Sequence, residues 1–376
     1  MKITFFTNFM NHHQQPFSDE MYRILGNDFH FVACDTIGEE RIQLGYQSQF
    51  NLPYIVDATN PNGRKKAEYL AKTSDIAIMG SCDYRYERIR MDNHLYTFKY
   101  SERIFKESFY NYYRIRRAYR MKRDYGKCYT DRTYLLAAGA YAADDYRKLH
   151  LFEDRYLRWG YFPKESTKSL NELIKQKEPM SIIWTGRLIP WKRPLQALVV
   201  AKHLKEKHIT FHMNIIGNGE LENELHMYIA HNDLQNYVNM LGSIPFEEVR
   251  RYMERSQIML FTSNRQEGWG AVLNEAMSSA CAVIANNEIG SVPFLLTQKK
   301  NGIIYNGNEN DLVHCIDGIF DDQETITKYG KCAWDSIHNI WNAKIAANRI
   351  ISISNSIYRG MGIDLFKDGP CSKIEK

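Results

Sequence analysis

At 376 residues the chain is too long for one hydrophobic core of ordinary size, so two domains are expected. Its 44% apolar and 25% charged content is that of a globular protein, and its net charge of +5 is mild enough that the placement of charge matters more than the total. The seven cysteines are dispersed without a C-x-x-C pair, which argues against a disulfide frame or a cysteine zinc site and for reduced thiols in a cytosol-like compartment. No run of about 18 to 20 apolar residues is present, so no membrane span is expected. The opening "MKITFFTNFMNHH" is too short in its apolar part for a signal peptide and reads as a first strand.

In chain order, "KITFFTN", "FHFVACD", "PYIVDA" and "DIAIMGS" read as strands, with helices near 17–25 and 62–73. "LYTFKYS" and "TYLLAAG" are two further strands, so the first half is an open α/β sheet. Residues 157–170, "LRWGYFPKESTKSL", with Gly160, Pro163 and a polar end, form the expected linker. From about residue 180 the alternation is regular. "SIIWTG" is a strand, a helix runs from about Arg193 to Lys207, and "ITFHMNIIG" and "ELENELHMYIAHN" repeat the pair. "YVNML", the helix "FEEVRRYMERS" and the strand "QIMLFTS" follow, then a helix opened by "QEGWGAVLNEA", then the short strands "AVIAN" and "GIIYN". Such alternation means βαβ units, a parallel sheet and right-handed crossovers. Helical patterns over about 322–357 close the chain, and the polar end "FKDGPCSKIEK" is expected to fray. The organisation expected is a Rossmann-like domain over 1–160, a second over 161–340, and 341–376 as a helix returning to the first domain plus a tail. Two doubly wound domains facing a central cleft place a ligand at the carboxyl ends of their strands.

Three windows of the second half carry chemistry at such strand ends. In "QEGWGAVLNEA" the loop after "QIMLFTS" leads into a helix near Gly270 or Ala271, whose free N–H groups and partial positive charge suit phosphate. Glu267 precedes that tip, and Glu275 lies roughly 7 to 8 Å along the helix axis. A diphosphate on the tip would leave a sugar near each acid, and a carboxylate accepts two hydroxyl donors well. The competing reading makes Glu267 an acid stabilising the helix dipole and Glu275 a solvated helix residue. In "TGRLIPWKRP", Arg187 and Lys192 offer cations to a leaving diphosphate; a solvated basic loop is the alternative. In "IIGNGELENEL", Gly217, Asn218 and Gly219 allow the backbone to approach a nucleotide, or simply make a tight turn. The longer dinucleotide fingerprint and the P-loop are both absent from the sequence.

"GRLIPWK", "IIGNGELENEL", "VNMLGSIPFEEV", "EGWGAVLNEA" and "IGSVPFLLTQKKNGIIY", in this order over roughly 180–310, resemble the retaining glycosyltransferases of family four, with the GT-B fold. "NHHQQPFSDEMYRIL", "TFKYSERIF" and "LRWGYFP" resemble a bacterial subgroup that builds cell-surface polysaccharide. The resemblance implies that Arg187 and Lys192 bind the donor diphosphate and Glu267 holds hydroxyls of the donor hexose. It implies that Gly268, Trp269, Gly270 and Ala271 line phosphate and sugar by backbone, and that Glu275 holds the ribose. The family carries a small aliphatic residue or Phe where this chain has Trp269, a departure that obscures which donor sugar is used. It also implies a transfer without a resident metal or cofactor, a nucleoside diphosphate sugar (uridine rather than guanosine) being the co-substrate.

The acceptor side falls to the first half. The loop after the first strand holds Asn11, His12, His13, Gln14 and Gln15, where either histidine would steady the diphosphate or the acceptor, or stand as a surface loop residue. "YSERIF" sets Ser101, Glu102 and Arg103 after another strand, Glu102 being a helper or a salt-bridged residue at a helix start. The histidine that family members carry in a comparable loop has no counterpart here, since His94 precedes the strand. Asp144 and Asp145 in "AYAADDYRKL" are adjacent on a helical run and face different ways, which makes them poor partners for one ion.

Residues 109–129, "FYNYYRIRRAYRMKRDYGKCY", hold seven Lys/Arg and one Asp, so they carry more than the whole net charge of the chain. A solvated basic helix, nucleic-acid binding and docking to an anionic membrane compete there; no recognised nucleic-acid module surrounds the stretch. Membrane contact fits an enzyme with a lipid-linked saccharide acceptor at the inner face of the cell membrane. The function expected is transfer of a hexose or N-acetylhexosamine to a hydroxyl acceptor in surface polysaccharide or glycan synthesis. A nucleotide-sugar epimerase of GT-B fold and a non-catalytic glycosyltransferase partner subunit are the alternatives.

Overall fold

The computed structural model describes residues 1–38, 51–106, 112–125, 132–363 and 366–374. They form two compact units, Met1–Lys164 with Trp341–Lys376, and Glu165–Ile340.

The first unit is built on a seven-stranded, all-parallel sheet: β1 (Ile3–Thr7), β2 (Phe29–Ala33), β3 (Ile55–Asp57), β4 (Ile76–Met79), β5 (Thr97–Ser101), β6 (Thr133–Ala138) and β7 (Tyr156–Trp159). Their order is β3-β2-β1-β4-β5-β6-β7. Phe5 stands opposite Phe31 on one side and Ile78 on the other, and β1 and β4 are buried along their full length. That explains their mainly apolar sequences, since helices cover both faces of a parallel sheet. The order reverses between β1 and β4, and ligands of open α/β sheets bind at such a point. Helix Ala343–Tyr358 lies against helix Gln15–Leu25 of this unit.

The second unit has β8 (Ser181–Thr185), β9 (His212–Ile216), β10 (Val238–Gly242), β11 (Ile258–Phe261), β12 (Ala282–Asn286) and β13 (Ile303–Tyr305). These six parallel strands are ordered β10-β9-β8-β11-β12-β13, so the reversal falls between β8 and β11. Ile182, Ile215, Leu260 and Ile284 of the sheet pack with Leu198, Ala201, Leu225 and Leu312 of the helices in one core.

Several segments differ from expectation. Residues 157–159, assigned to a linker, belong to β7, and the unit boundary follows at Lys164. Beyond it Ser169 and Glu172 make a capping box that starts helix Leu170–Lys175. The polar C-terminal stretch is held as far as Ile374: Cys371 N–H donates to Arg158 O (2.8 Å), Arg158 N–H to Ser372 O (2.8 Å) and Ile374 N–H to Tyr156 O (3.1 Å). The tail thus extends the β7 edge, with Cys371 and Ser372 buried. A helix at Tyr84–Asp92, absent from the sequence reading, is capped by Asp83 and buries Glu87 and Arg90.

Candidate functional site

At the switch point of the second unit the loops after β8 and β11 are stitched together. Asn264 N–H donates to Trp191 O (2.8 Å), and the Thr262 hydroxyl donates to the carbonyls of Lys192 (2.8 Å) and Arg193 (3.0 Å). Trp184 Nε1 in turn donates to Thr262 Oγ1 (2.8 Å). This brings together Arg187, Lys192 and Glu267. Lys192 Nζ forms an ion pair with Glu267 Oε2, and Ser263 Oγ donates to that same oxygen at 3.0 Å. Arg187 and Lys192 both lie over the Trp191 ring, 5.7 and 4.6 Å from its centroid. Trp191 is therefore a common platform for two cations. Glu267 is held by lysine and hydroxyl rather than standing as a free acid of the helix dipole.

The chain then turns into the helix Val272–Ser278 through Gly268, Trp269, Gly270 and Ala271. Gly270 sits at φ +84°, and a Cβ there would come within 2.4 Å of Phe261 Cζ, so glycine is required. Ala271 is the N-cap and contributes no side-chain bond. Trp269 corrects the expectation drawn from its size: the indole is fully buried, Nε1 donates to Asn274 Oδ1 (2.9 Å), and its ring lies 6.4 Å from Phe294. Its bulk goes into the unit's own core, and only its backbone is placed with the loop.

Glu275, one turn into that helix, is 6% exposed, which excludes the solvated reading. Burial pushes its carboxyl up to about 7, and the Arg250 guanidinium partly opposes the shift. Arg250 Nη1 donates to Glu275 O (3.0 Å) and to Ser279 Oγ (3.4 Å). Glu165, also raised to about 7 by burial, feels the same arginine. Neither Arg250 nor Glu165 was found from sequence: "EEVRRYMER" reads as an ordinary charged helix face, and nothing in the pattern says which arginine turns inward.

The G-x-G loop makes the tight turn that was one of its two readings. Gly217 (φ +136°) and Gly219 (φ +155°) let two backbone segments meet: a Cβ on Gly217 would lie 1.9 Å from Gly186 O, and one on Gly219 2.4 Å from Leu188 O. Leu188 N–H donates to Asn218 O (2.7 Å) and Leu221 N–H to Leu188 O (3.0 Å). Gly217, Asn218 and Gly219 therefore brace the loop that carries Arg187 and Lys192.

In the first unit, the loop after β1 folds on Asn11, whose Oδ1 accepts from the N–H groups of His13 (3.0 Å) and Gln14 (3.1 Å). The His12 and His13 rings lie 3.8 Å apart, and His13 is 5.9 Å from the Tyr161 ring. Tyr161 OH donates to Glu102 Oε1 (3.0 Å), and Lys106 Nζ pairs with Glu102 Oε2 (2.6 Å). Loops after β1, β5 and β7 thus meet in one aromatic and charged group. Tyr161 was missed because β7 was not recognised, and the residue two positions past it did not read as a strand-end residue. Asp144 and Asp145 do face apart: Asp144 pairs with Arg147 at the surface, while buried Asp145 accepts from the N–H groups of Ile104 and Phe105, both at 2.9 Å.

Among the described residues no helix is long and apolar enough to cross a membrane. Residues 165–334, nearly all of the second unit, match the family model of glycosyl transferases group 1. The amylovoran biosynthesis glycosyltransferase AmsK of Erwinia amylovora is 31% identical over 150 residues, 39% of this chain and 36% of that protein. An uncharacterized glycosyltransferase of Methanocaldococcus jannaschii, MJ1178, is 30% identical over 129 residues, 33% of this chain and 36% of that protein. The chain thus spans about a third of the length of these curated relatives. The crystal structure of Anabaena HepE in complex with UDP superposes with a TM-score of 0.68 at 14% identity, over 95% of this chain and 100% of that one. Its likeness shows the fold: α/β, with two Rossmann-like units of the GT-B type.

Proposed function

With a glycosyl transferases group 1 domain over residues 165–334 as the premise, we propose that this chain moves a hexose or N-acetylhexosamine from a nucleoside diphosphate sugar to a hydroxyl of a saccharide acceptor. The observation that carries this is the grouping of Arg187, Lys192 and Glu267 on two stitched loops at one switch point, with buried Glu275 one turn into the helix that follows. Arg187 and Lys192 stabilise the charge that gathers on the departing diphosphate, the part a metal would otherwise play. Glu267 exchanges its lysine for hydroxyls of the donor hexose, and Glu275 takes the ribose hydroxyls. The backbone from Gly268 to Ala271 follows the phosphates. The bond from the anomeric carbon to the diphosphate oxygen breaks, the acceptor oxygen bonds to that carbon on the same face, and the acceptor proton passes to the leaving phosphate. The anomeric configuration is retained. On the acceptor side His12, His13 and Glu102 orient the hydroxyl.

Uridine is the base, a choice supported by the UDP bound in the HepE structure. AmsK's part in amylovoran biosynthesis supports a polysaccharide product, and the reading takes that product to be a surface polysaccharide built on a lipid-linked acceptor at the inner face of the membrane. Isothermal titration with UDP, GDP and their sugars in chelator tests the donor half. Micromolar UDP binding that Lys192→Met weakens supports the reading; no binding of any nucleoside diphosphate overturns it.

A further inference from the structure

The described side chains of helix Tyr112–Tyr125 in the first unit fall on two faces. Ala118 is buried and Met121 packs beside it on the core formed by Leu135, Ala142 and Tyr146. Ile115, Arg116, Tyr119, Arg120, Lys122 and Arg123 are exposed, Ile115 by 47% and Tyr119 by 71%. At 3.6 residues per turn these six fall within an arc of about 160°, and Ala118 and Met121 lie outside it. Ile115 and Tyr119 stand near one edge of the arc, with Lys122 outside them and Arg123, Arg116 and Arg120 filling the other side. The exposed face therefore shows two apolar groups between cations. Residues 109–129 carry +6 against +5 for the whole chain, so everything else sums to about neutral and this helix is the protein's basic pole.

We propose that this face docks the protein on an anionic lipid bilayer, with Ile115 and Tyr119 entering the headgroup layer and Arg116, Arg120, Lys122 and Arg123 meeting acidic headgroups. The inference deepens the functional reading, since it gives a surface for reaching a lipid-linked acceptor, but the docking itself needs neither donor nor acceptor. Charge complementarity selects the partner. Cations near a negative leaflet gain from its surface potential, and an exposed aliphatic side chain beside them gains only where there is an apolar phase to enter. A nucleic acid would use the cations and stack on Tyr119, but offers Ile115 nothing. The binding is expected to be reversible and salt-sensitive, because each cation contributes about fivefold to partitioning and this contribution decays within a Debye length.

The test is cosedimentation of the full chain with vesicles of phosphatidylcholine alone and of phosphatidylcholine mixed with phosphatidylglycerol, at low and high salt. Expected is recovery with the mixed vesicles only, lost at high salt. The variant carrying Arg116→Gln, Arg120→Gln, Lys122→Gln and Arg123→Gln should lose several hundredfold in partitioning. Ile115→Ser should lower recovery on mixed vesicles while leaving binding to a single-stranded RNA homopolymer unchanged. Equal recovery on both lipids, wild-type recovery by the four-fold variant, or binding to the RNA homopolymer without binding to vesicles overturns the proposal. Should the four-fold variant fail to fold, hydrogen exchange of the wild type decides. Protection within 112–125 on adding mixed vesicles supports the face, and protection elsewhere without it there removes it. UDP titration on the same samples keeps the outcome separate from that of the transfer reaction.

Discussion

Replacing Glu275 by Gln should change the stability of the ligand-free protein in one pH range only. The ordinary carboxyl value of 4.5 applies to the unfolded chain, and burial raises the folded one to about 7. Between these values the folded state keeps a proton that the unfolded state has already released, so stability is full below about 4.5 and is withdrawn as pH rises through 7. The gap amounts to at most about 3 kcal/mol at pH 8, which for a unit of this size is roughly 6–12 °C in melting temperature. The glutamine side chain is nearly isosteric and does not titrate. Wild type and Glu275→Gln should melt together near pH 5 and diverge towards pH 8, with the variant the more stable. Nucleotide binding should run the opposite way. Ribose hydroxyls donate to the ionised acid, so wild-type affinity for UDP should rise through pH 7 with release of a proton, seen as a buffer-dependent heat in titration, while the variant binds weakly at every pH. Parallel melting curves for the two proteins across the range, or UDP affinity independent of pH in the wild type, would refute the assignment.

The remaining predictions probe the scaffold and the charge cluster. Gly217→Ala should cost more than about 3 kcal/mol, because its Cβ would meet the Gly186 carbonyl at 1.9 Å and backbone cannot yield. Gly270→Ala should cost less, since it meets the far end of the Phe261 ring; chemical denaturation of both variants checks the order, and equal losses would contradict the bracing role. Lys192→Met leaves Glu267 buried without its lysine. It should lower kcat by at least tenfold while destabilising the second unit by about 2 kcal/mol, read by steady-state kinetics and melting; unchanged turnover would exclude the assigned role. Truncation before Cys371 removes three backbone hydrogen bonds to the β7 edge and the buried side chains of Cys371 and Ser372. A loss of about 2–3 kcal/mol is expected in denaturant melts, and a neutral result would mean the tail is not held in solution.

What the sequence revealed and what it hid divide along physical lines. "SIIWT", "IMLF" and "AVIAN" were legible as strands because a parallel strand is covered on both faces and so reads as an unbroken apolar run. The strand-end rule then placed Arg187, Lys192 and Glu267 at strand carboxyl ends without any knowledge of side-chain directions, and the strand order adds that the two loops leave β8 and β11 at one switch point. Helix Tyr84–Asp92 was illegible for the opposite reason. Its inward positions include Glu87, paired with Lys99, and Arg90, which donates to the carbonyls of Ala71, Ser74, Asp75 and Tyr96. A helix that buries charge against backbone acceptors shows no apolar stripe, so periodicity cannot find it. β7 escaped because its outer pairing partner is the chain's own far end, more than two hundred residues away. Trp269 and the G-x-G loop show a further limit. Sequence identified both as special, one by bulk and the other by its glycines, without saying where the indole goes or whether the glycines face a ligand or make a tight turn. The structure attaches them to the scaffold, Trp269 to Asn274 and the glycines to the backbone of Gly186 and Leu188. Both requirements serve to hold the two loops that carry the cations and the first acid, and so residues tightly constrained by packing are the immediate neighbours of those assigned the chemistry.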